Sequence, residues 1–195
     1  EGVAYPRGGS LDRLEYISGY VDFIEINSTF YRPADPKSAE DWVRRVADRP
    51  GFTFTIKVWE RFTHERGEVK PSDIKDFLSG ISPLAMEGYL GVLLIQFPFS
   101  YRFSRDNLAH LDLLIDAFRG YPLAVEVRHA SWDVPEFWGF LEERGVAFVN
   151  IDQPPSSDSL SPSSRITSSI AYIRLHGRNS KDWFRAEASR DDRYN

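Results

Sequence analysis

Ionisable side chains of the kinds used in acid/base and anion chemistry stand at the ends of short apolar runs: Glu25, Lys57, Glu126, Arg128, Asp152, Arg174 and His176. Glu126 and Arg128 are two residues apart, as are Arg174 and His176, so in extended chain each pair shares a face. A carboxylate and an imidazole can move a proton between them. Inward lysine and arginine stabilise developing negative charge or hold a phosphate or carboxylate. The expected catalytic set is therefore Glu126 or Asp152 as base and His176 as acid/base partner, with Glu25 and Lys57 at the same mouth. Asn27, Gln96, Arg128, Arg174 and Arg178 are expected to bind the substrate. Tyr31 and Trp132 could form an aromatic rim for a flat or sugar-like ligand. His129 has the opposite parity to Arg128 and is expected to turn into the following loop, with a secondary binding role. The competing reading is purely structural, with acids and cations neutralising one another and no ligand involved.

Other chemistries are disfavoured. The 195 residues contain no cysteine, which excludes thiol nucleophiles, disulfides and cysteinyl metal sites. Glu25, Glu126, Asp152 and His176 have the right atoms for a divalent metal. The chain has only 4 histidines, however, with no HxH or HxxxH pair, and cations interleave with the acids. A metal is possible but not favoured, and no cofactor is expected. Neither a GxxxxGK[ST] loop nor a GxGxxG turn is present. A formal charge of −5 argues against binding an extended nucleic-acid duplex. No apolar run has the length of a membrane span, and the first residues do not read as a signal peptide, so the expected compartment is the cytoplasm. The partner expected is a small anionic or phosphate-bearing molecule; oligomeric state is left open.

The elements that must position these groups follow from pattern. β-type runs occupy Val21–Asn27, Phe52–Val58, Gly91–Phe97, Leu123–Arg128, Ala147–Asp152 and Ile170–His176. Helical periodicity lies between most of them: one helix capped by Ser38, one opening at Ser72, one from Ser104 through Phe118, and one capped by Asp133 with Pro135 early and Gly145 at its end. Gln153–Ser169 is rich in serine and proline and reads as a long loop in place of a helix, either a lid or rim element or a surface excursion. Strand–helix alternation of this kind predicts a parallel α/β sheet forming one domain over residues 1–195.

One parity of each run is apolar: Ile24 and Ile26, Phe54 and Ile56, Leu93 and Ile95, Val125 and Val127, Val149 and Ile151, Ile173 and Leu175. The other parity ends in the polar set, here including Asn150. Polar groups at the carboxyl ends of every strand suit a TIM-barrel-like (β/α) barrel, whose active groups gather at that mouth, better than an open sheet with one switch point. Eight βα units need about 250 residues; six strands are visible, so terminal units are expected to be missing.

The ordered series Glu25-Ile26-Asn27-Ser28-Thr29-Phe30-Tyr31, Ile56-Lys57-Val58, Gln96-Phe97-Pro98, Glu126-Val127-Arg128-His129-Ala130-Ser131-Trp132 and Arg174-Leu175-His176-Gly177-Arg178 resembles the YecE-like proteins, domain-of-unknown-function family 72. The resemblance implies a TIM-barrel-like fold and a site at the strand ends, without implying a reaction. The leading expectation is an enzyme of hydrolase or lyase type acting on an anionic substrate. The alternatives are a non-catalytic module binding a phosphorylated ligand or nucleic-acid end, and an interaction scaffold.

Overall fold

The computed structural model describes residues 5, 11–65 and 67–177. The strands are parallel and follow chain order along the sheet, β1 to β6, with helices between successive strands as far as β5. Unbroken chain order is the order of a barrel wall; a doubly wound sheet reverses direction partway. The chain divides into two compact units, Glu1–Leu93 and Leu94–Asn195, and the boundary falls within β3 (Leu90–Gln96).

In the first unit, the Asp12 carboxylate accepts the amides of Leu14 and Glu15 and so caps α1 (Arg13–Ile17). β1 (Phe23–Ile26) leads directly into the short α2 (Ser28–Tyr31), then α3 (Pro36–Arg45) and β2 (Thr53–Lys57). A π-helical turn, Arg61–Glu65, precedes α4 (Pro71–Met86). The α3 cap is Asp35, which accepts the Lys37 amide, rather than Ser38; Pro36 then takes the first helical position, where no amide is needed. Residues Ile24 and Ile26 pair in register with Phe54 and Ile56. Phe54 packs on Trp42 of α3, which fixes that parity as the helix face. At Gly80 of α4, a Cβ would stand 2.3 Å from the Ala34 carbonyl oxygen, so only glycine admits this approach.

In the second unit, Ser104 caps α5 (Arg105–Ala117) by accepting the Asn107 amide, as its sequence predicts. β4 (Leu123–Glu126) is followed by a 3₁₀ turn, Ala130–Trp132, and by α6 (Pro135–Arg144), β5 (Ala147–Asp152) and β6 (Tyr172–Leu175). Gly145 closes α6 with φ of 62°, a left-handed conformation that favours glycine. Asp133 does not cap α6; its carboxylate accepts the Trp138 indole N–H instead. A run of aromatic rings crosses the core, from Phe97 stacked on Tyr101 through Trp132 and Phe137 to Phe148.

Two features of this unit differ from the sequence reading. First, the phase of β5 is inverted. Phe148 packs on Trp138 of α6 and pairs in register with Val125, so Phe148, Asn150 and Asp152 lie on the helix-side parity. Val149 and Ile151 pair with Tyr172 and Arg174, on the opposite face. The first five residues of β5 are all buried, so apolar character does not distinguish its two faces.

Second, Gln153–Ser169 is held along its length. Asn150 accepts the Ser163 hydroxyl and the Arg165 amide and donates to the Arg165 carbonyl. Thr167 accepts the Phe148 amide and donates to the Val146 carbonyl. Gln153 donates to the carbonyls of Arg128 and Leu160. A segment lacking its own helical hydrogen bonds needs such partners wherever its backbone is buried.

Candidate functional site

The carboxyl end of β4 places Glu126 on the face opposite α6, and Arg128, two residues on, reaches the same face. β6 contributes Arg174, in register with Ile151 on that face, and His176 follows with the same parity. β3 contributes Gln96: the Phe97 amide donates to the Glu126 carbonyl, the parallel-ladder bond that puts Gln96 beside Glu126.

These side chains converge on one carboxylate. Glu126 is fully buried. Its Oε1 accepts Arg128 Nε at 2.7 Å and its Oε2 accepts Arg174 Nη1 at 2.5 Å. His176 Nε2 stands 3.5 Å from Oε1, and Arg174 Nη1 also donates to Gln96 Oε1 at 2.9 Å. Burial alone would push the Glu126 carboxyl up, but Arg128, the His176 imidazole and Arg174 together hold it far below the ordinary carboxylate range. It is a fixed anion, and a weak base for that reason. Both its oxygens accept from guanidinium groups, so each is held by a charge-assisted hydrogen bond. The side chains of Arg128 and Arg174 retain 18% and 16% exposure.

Gln96, Glu126, Arg128, Arg174 and His176 are thus brought together. Asp152 is not part of that face; it pairs in register with Leu175, on the opposite parity. In the first unit, Glu25 pairs with Thr55, and Lys57, two residues on, shares the face opposite α3. The Lys57 ammonium lies 3.8 Å from the Phe30 ring centroid. Asn27 is exposed at the end of β1, and Tyr31 is exposed on α2. Thr29 bonds the carbonyls of Ile26 and Lys57, tying the ends of β1 and β2 together.

Trp132 is not a rim residue. It is fully buried, with its indole donating to the Tyr101 carbonyl, because the 3₁₀ turn after β4 folds it into the aromatic core. His129 is buried beside Ser131 and Phe99. Arg178 lies outside the described residues. Among the described residues, no three His, Asp or Glu side chains gather as a metal site, and no helix is long and apolar enough to cross a membrane.

The sequence reading missed what holds Arg128. The Arg128 carbonyl accepts both Gln153 Nε2 at 3.0 Å and the Leu160 amide at 2.8 Å, while the Ala130 amide donates to Asp158. The loop therefore adds an antiparallel bridge, His129 with Ser159, at the end of β4. Only the placement of Gln153 directly after β5 hinted at this.

Comparison with known proteins agrees with this architecture. A solved DUF72 family protein from Thermotoga maritima MSB8 shares 35% identity and superposes with a TM-score of 0.81 over 96% of this chain and 73% of its own. A second, from Enterococcus faecalis V583, is 24% identical with a TM-score of 0.80, covers 88% of this chain and 72% of its own, and speaks to the fold alone. The UPF0759 protein YunF of Bacillus subtilis (strain 168) is 26% identical over 198 residues, 95% of this chain and 69% of YunF. The family model described as "Protein of unknown function DUF72" matches residues 1–195 in full, and the chain belongs to that family.

Proposed function

We propose that the face opposite α6 binds a small anionic molecule bearing a phosphate or carboxylate, and that the protein is an acid/base enzyme of hydrolase or lyase type. The observation that carries this reading is the convergence of Arg128, Arg174 and His176 on the fully buried Glu126. Burying so many ionised groups costs desolvation that ion pairing alone repays poorly, which favours a site over a structural knot. In this reading Glu126 is a positioning residue: its fixed charge orients both guanidinium groups and the imidazole. Arg128 and Arg174 hold the anion and stabilise charge developing on it. His176, steadied by Glu126, carries the proton to or from the reacting oxygen. This departs from a Glu126 base and leaves Asp152 out of the reacting set.

Calorimetric titration with inorganic phosphate, sugar phosphates and hydroxycarboxylates tests the reading. Saturable binding that weakens with salt is expected, with Arg174→Gln weakening it about tenfold or more, the scale of one charge-assisted bond. For a ligand that is turned over, His176→Gln should abolish turnover with binding retained. Retained binding without turnover across the panel would favour the non-catalytic binding module. Affinities unchanged by Arg174→Gln would discard the site.

A further inference from the structure

A buried donor with no acceptor lies outside the constellation around Glu126. His129 is 5% exposed. Its Nδ1 accepts the Ser131 amide at 3.1 Å and lies 2.9 Å from Ser131 Oγ, which itself accepts the Phe103 amide at 2.8 Å. An Nδ1 that accepts an amide carries no proton, so in the neutral imidazole the proton sits on Nε2. Nε2 is buried and has no hydrogen-bond partner among the described residues. The adjacent Phe99 ring, 5.4 Å away between centroids and inclined at 61°, offers an edge contact and no oxygen. Buried donors are almost always satisfied in folded proteins, so this one calls for an acceptor.

The surroundings indicate what kind of acceptor. Burial, and then the charge of Arg102, keep the ring neutral, opposed by Asp158. Arg102 and Asp158 are both largely exposed, and they approach only to 3.8 Å, an ion pair too long for a hydrogen bond. Such an exposed pair is weak, and an incoming anion can take Arg102 from Asp158.

We propose that His129 Nε2–H is the donor of a second oxyanion subsite. It lies where the β3–α5 connection and the Asp158–Ser159 segment meet the end of β4, and it takes a phosphate or carboxylate oxygen with Arg102 supplying the charge. This subsite is separate from the face that carries Glu126, since His129 has the opposite parity to Arg128.

The test is a titration of the full chain, 15N-labelled at histidine, with inorganic phosphate against chloride at matched ionic strength. The His129 Nε2 resonance should move saturably with phosphate and not with chloride. The Arg174→Gln protein should show the same response, which separates this subsite from the fate of the Glu126 reading. His129→Asn places an oxygen where Nδ1 was, preserving the Ser131 bond, and removes the Nε2 donor. His129→Gln places an amide nitrogen near Nε2. Phosphate affinity at this subsite should fall about tenfold in His129→Asn and largely survive in His129→Gln, as loss and retention of one hydrogen bond to a charged group predict. Asp158→Asn, which removes the competing carboxylate, should tighten binding. An Nε2 resonance indifferent to phosphate, as expected of an imidazole satisfied by water alone, would overturn the proposal, as would undiminished binding in His129→Asn.

Discussion

The ends of β4 and β5 carry similar residue types and use them in opposite ways. At β4, Glu126 and Arg128 turn to the face opposite α6 and meet Gln96 from β3 and Arg174 and His176 from β6 and the residues just after it. Their partners are other side chains. At β5, Asn150 lies on the helix-side parity and spends its amide on Ser163 and Arg165, while Gln153, just past the strand, ties Leu160 to Arg128. Its partners are mostly backbone. A polar group at a strand end therefore pairs with other side chains or holds the chain's own path, and register together with the needs of the following connection decides which. After β4 the chain turns through a 3₁₀ turn into α6, and the Glu126 and Arg128 side chains pair with each other and with Arg174. After β5 a serine- and proline-rich segment must be held down, and the polar residues nearby hold it.

The largest expected effect would come from breaking the β4 side. Glu126→Gln leaves two arginines and an imidazole around an uncharged group and should cost about 3–5 kcal/mol, measured by urea unfolding at neutral pH. Replacing Glu126, Arg128 and Arg174 together with apolar residues should recover much of that loss while abolishing anion binding, because repacking removes the desolvation cost as well. If Glu126→Gln proves as stable as the parent, the constellation is not the linked unit described here.

Asn150→Ala tests the β5 side. It removes one donor and two acceptor bonds and should cost roughly 2–3 kcal/mol with anion affinity unchanged. A large loss of affinity would mean that β5 serves the site after all. Thr167→Val, which orphans the Phe148 amide and the Val146 carbonyl, should cost about 1–3 kcal/mol by the same measurement.

Gln153→Ala sharpens the comparison, since Gln153 touches both systems. Loss of its two bonds should cost about 1–2 kcal/mol and speed hydrogen exchange at the Leu160 and Ala130 amides, which pair the loop to the end of β4. A modest loss of anion affinity should accompany it, because the carbonyl it holds belongs to Arg128. Unchanged exchange at both amides would show that the loop stays in place without it.

A further effect is a pH dependence, small near neutral pH and growing as pH falls. The folded-state value for Glu126 lies below the ordinary 4.5, so the unfolded chain binds this proton first as pH falls. The associated stabilisation is present above the ordinary value and is lost progressively as pH drops toward the folded one. Stability of the parent should therefore decline more steeply below about pH 4.5 than that of Glu126→Gln, which has no proton to bind there. Parallel acid limbs would contradict an ionised, clamped Glu126.

Much of the fold was legible because it depends on local patterns. Alternation and capping located all six strands to within two residues at most ends, and Ser104, Pro135 and Gly145 marked helix boundaries through backbone chemistry that acts within a few residues. The parity argument also places Glu25 and Lys57 together on β1 and β2, and Gln96, Glu126, Arg128, Arg174 and His176 on one face, because in those strands the polar residues at the carboxyl end mark the face away from the helices. β5 also ends one parity in polar residues, but there they lie on the helix side, where Asn150 holds the following segment, so Asn150 and Asp152 stand on the face opposite to the one expected. Ile173 and Leu175 have the apolar parity expected of a helix-covered face yet are exposed on β6, where no described helix covers them. Trp132 read as a rim aromatic, but the turn after β4 buries it.

By itself, then, the sequence determined the strand–helix alternation, the residue types at the strand ends and the shared face of Gln96, Glu126, Arg128, Arg174 and His176. These depend on side-chain spacing of two along a strand and on caps within one turn of a helix. Only the tertiary structure decided that Glu126 is the clamped centre rather than a free base, that Asp152 faces away, and that Gln153 and the Asp158–Leu160 segment latch onto the end of β4. Each of those outcomes depends on contacts between residues distant in the chain, such as Arg174 with Glu126 or Leu160 with Arg128, and on the electrostatics of burial, which no local pattern encodes.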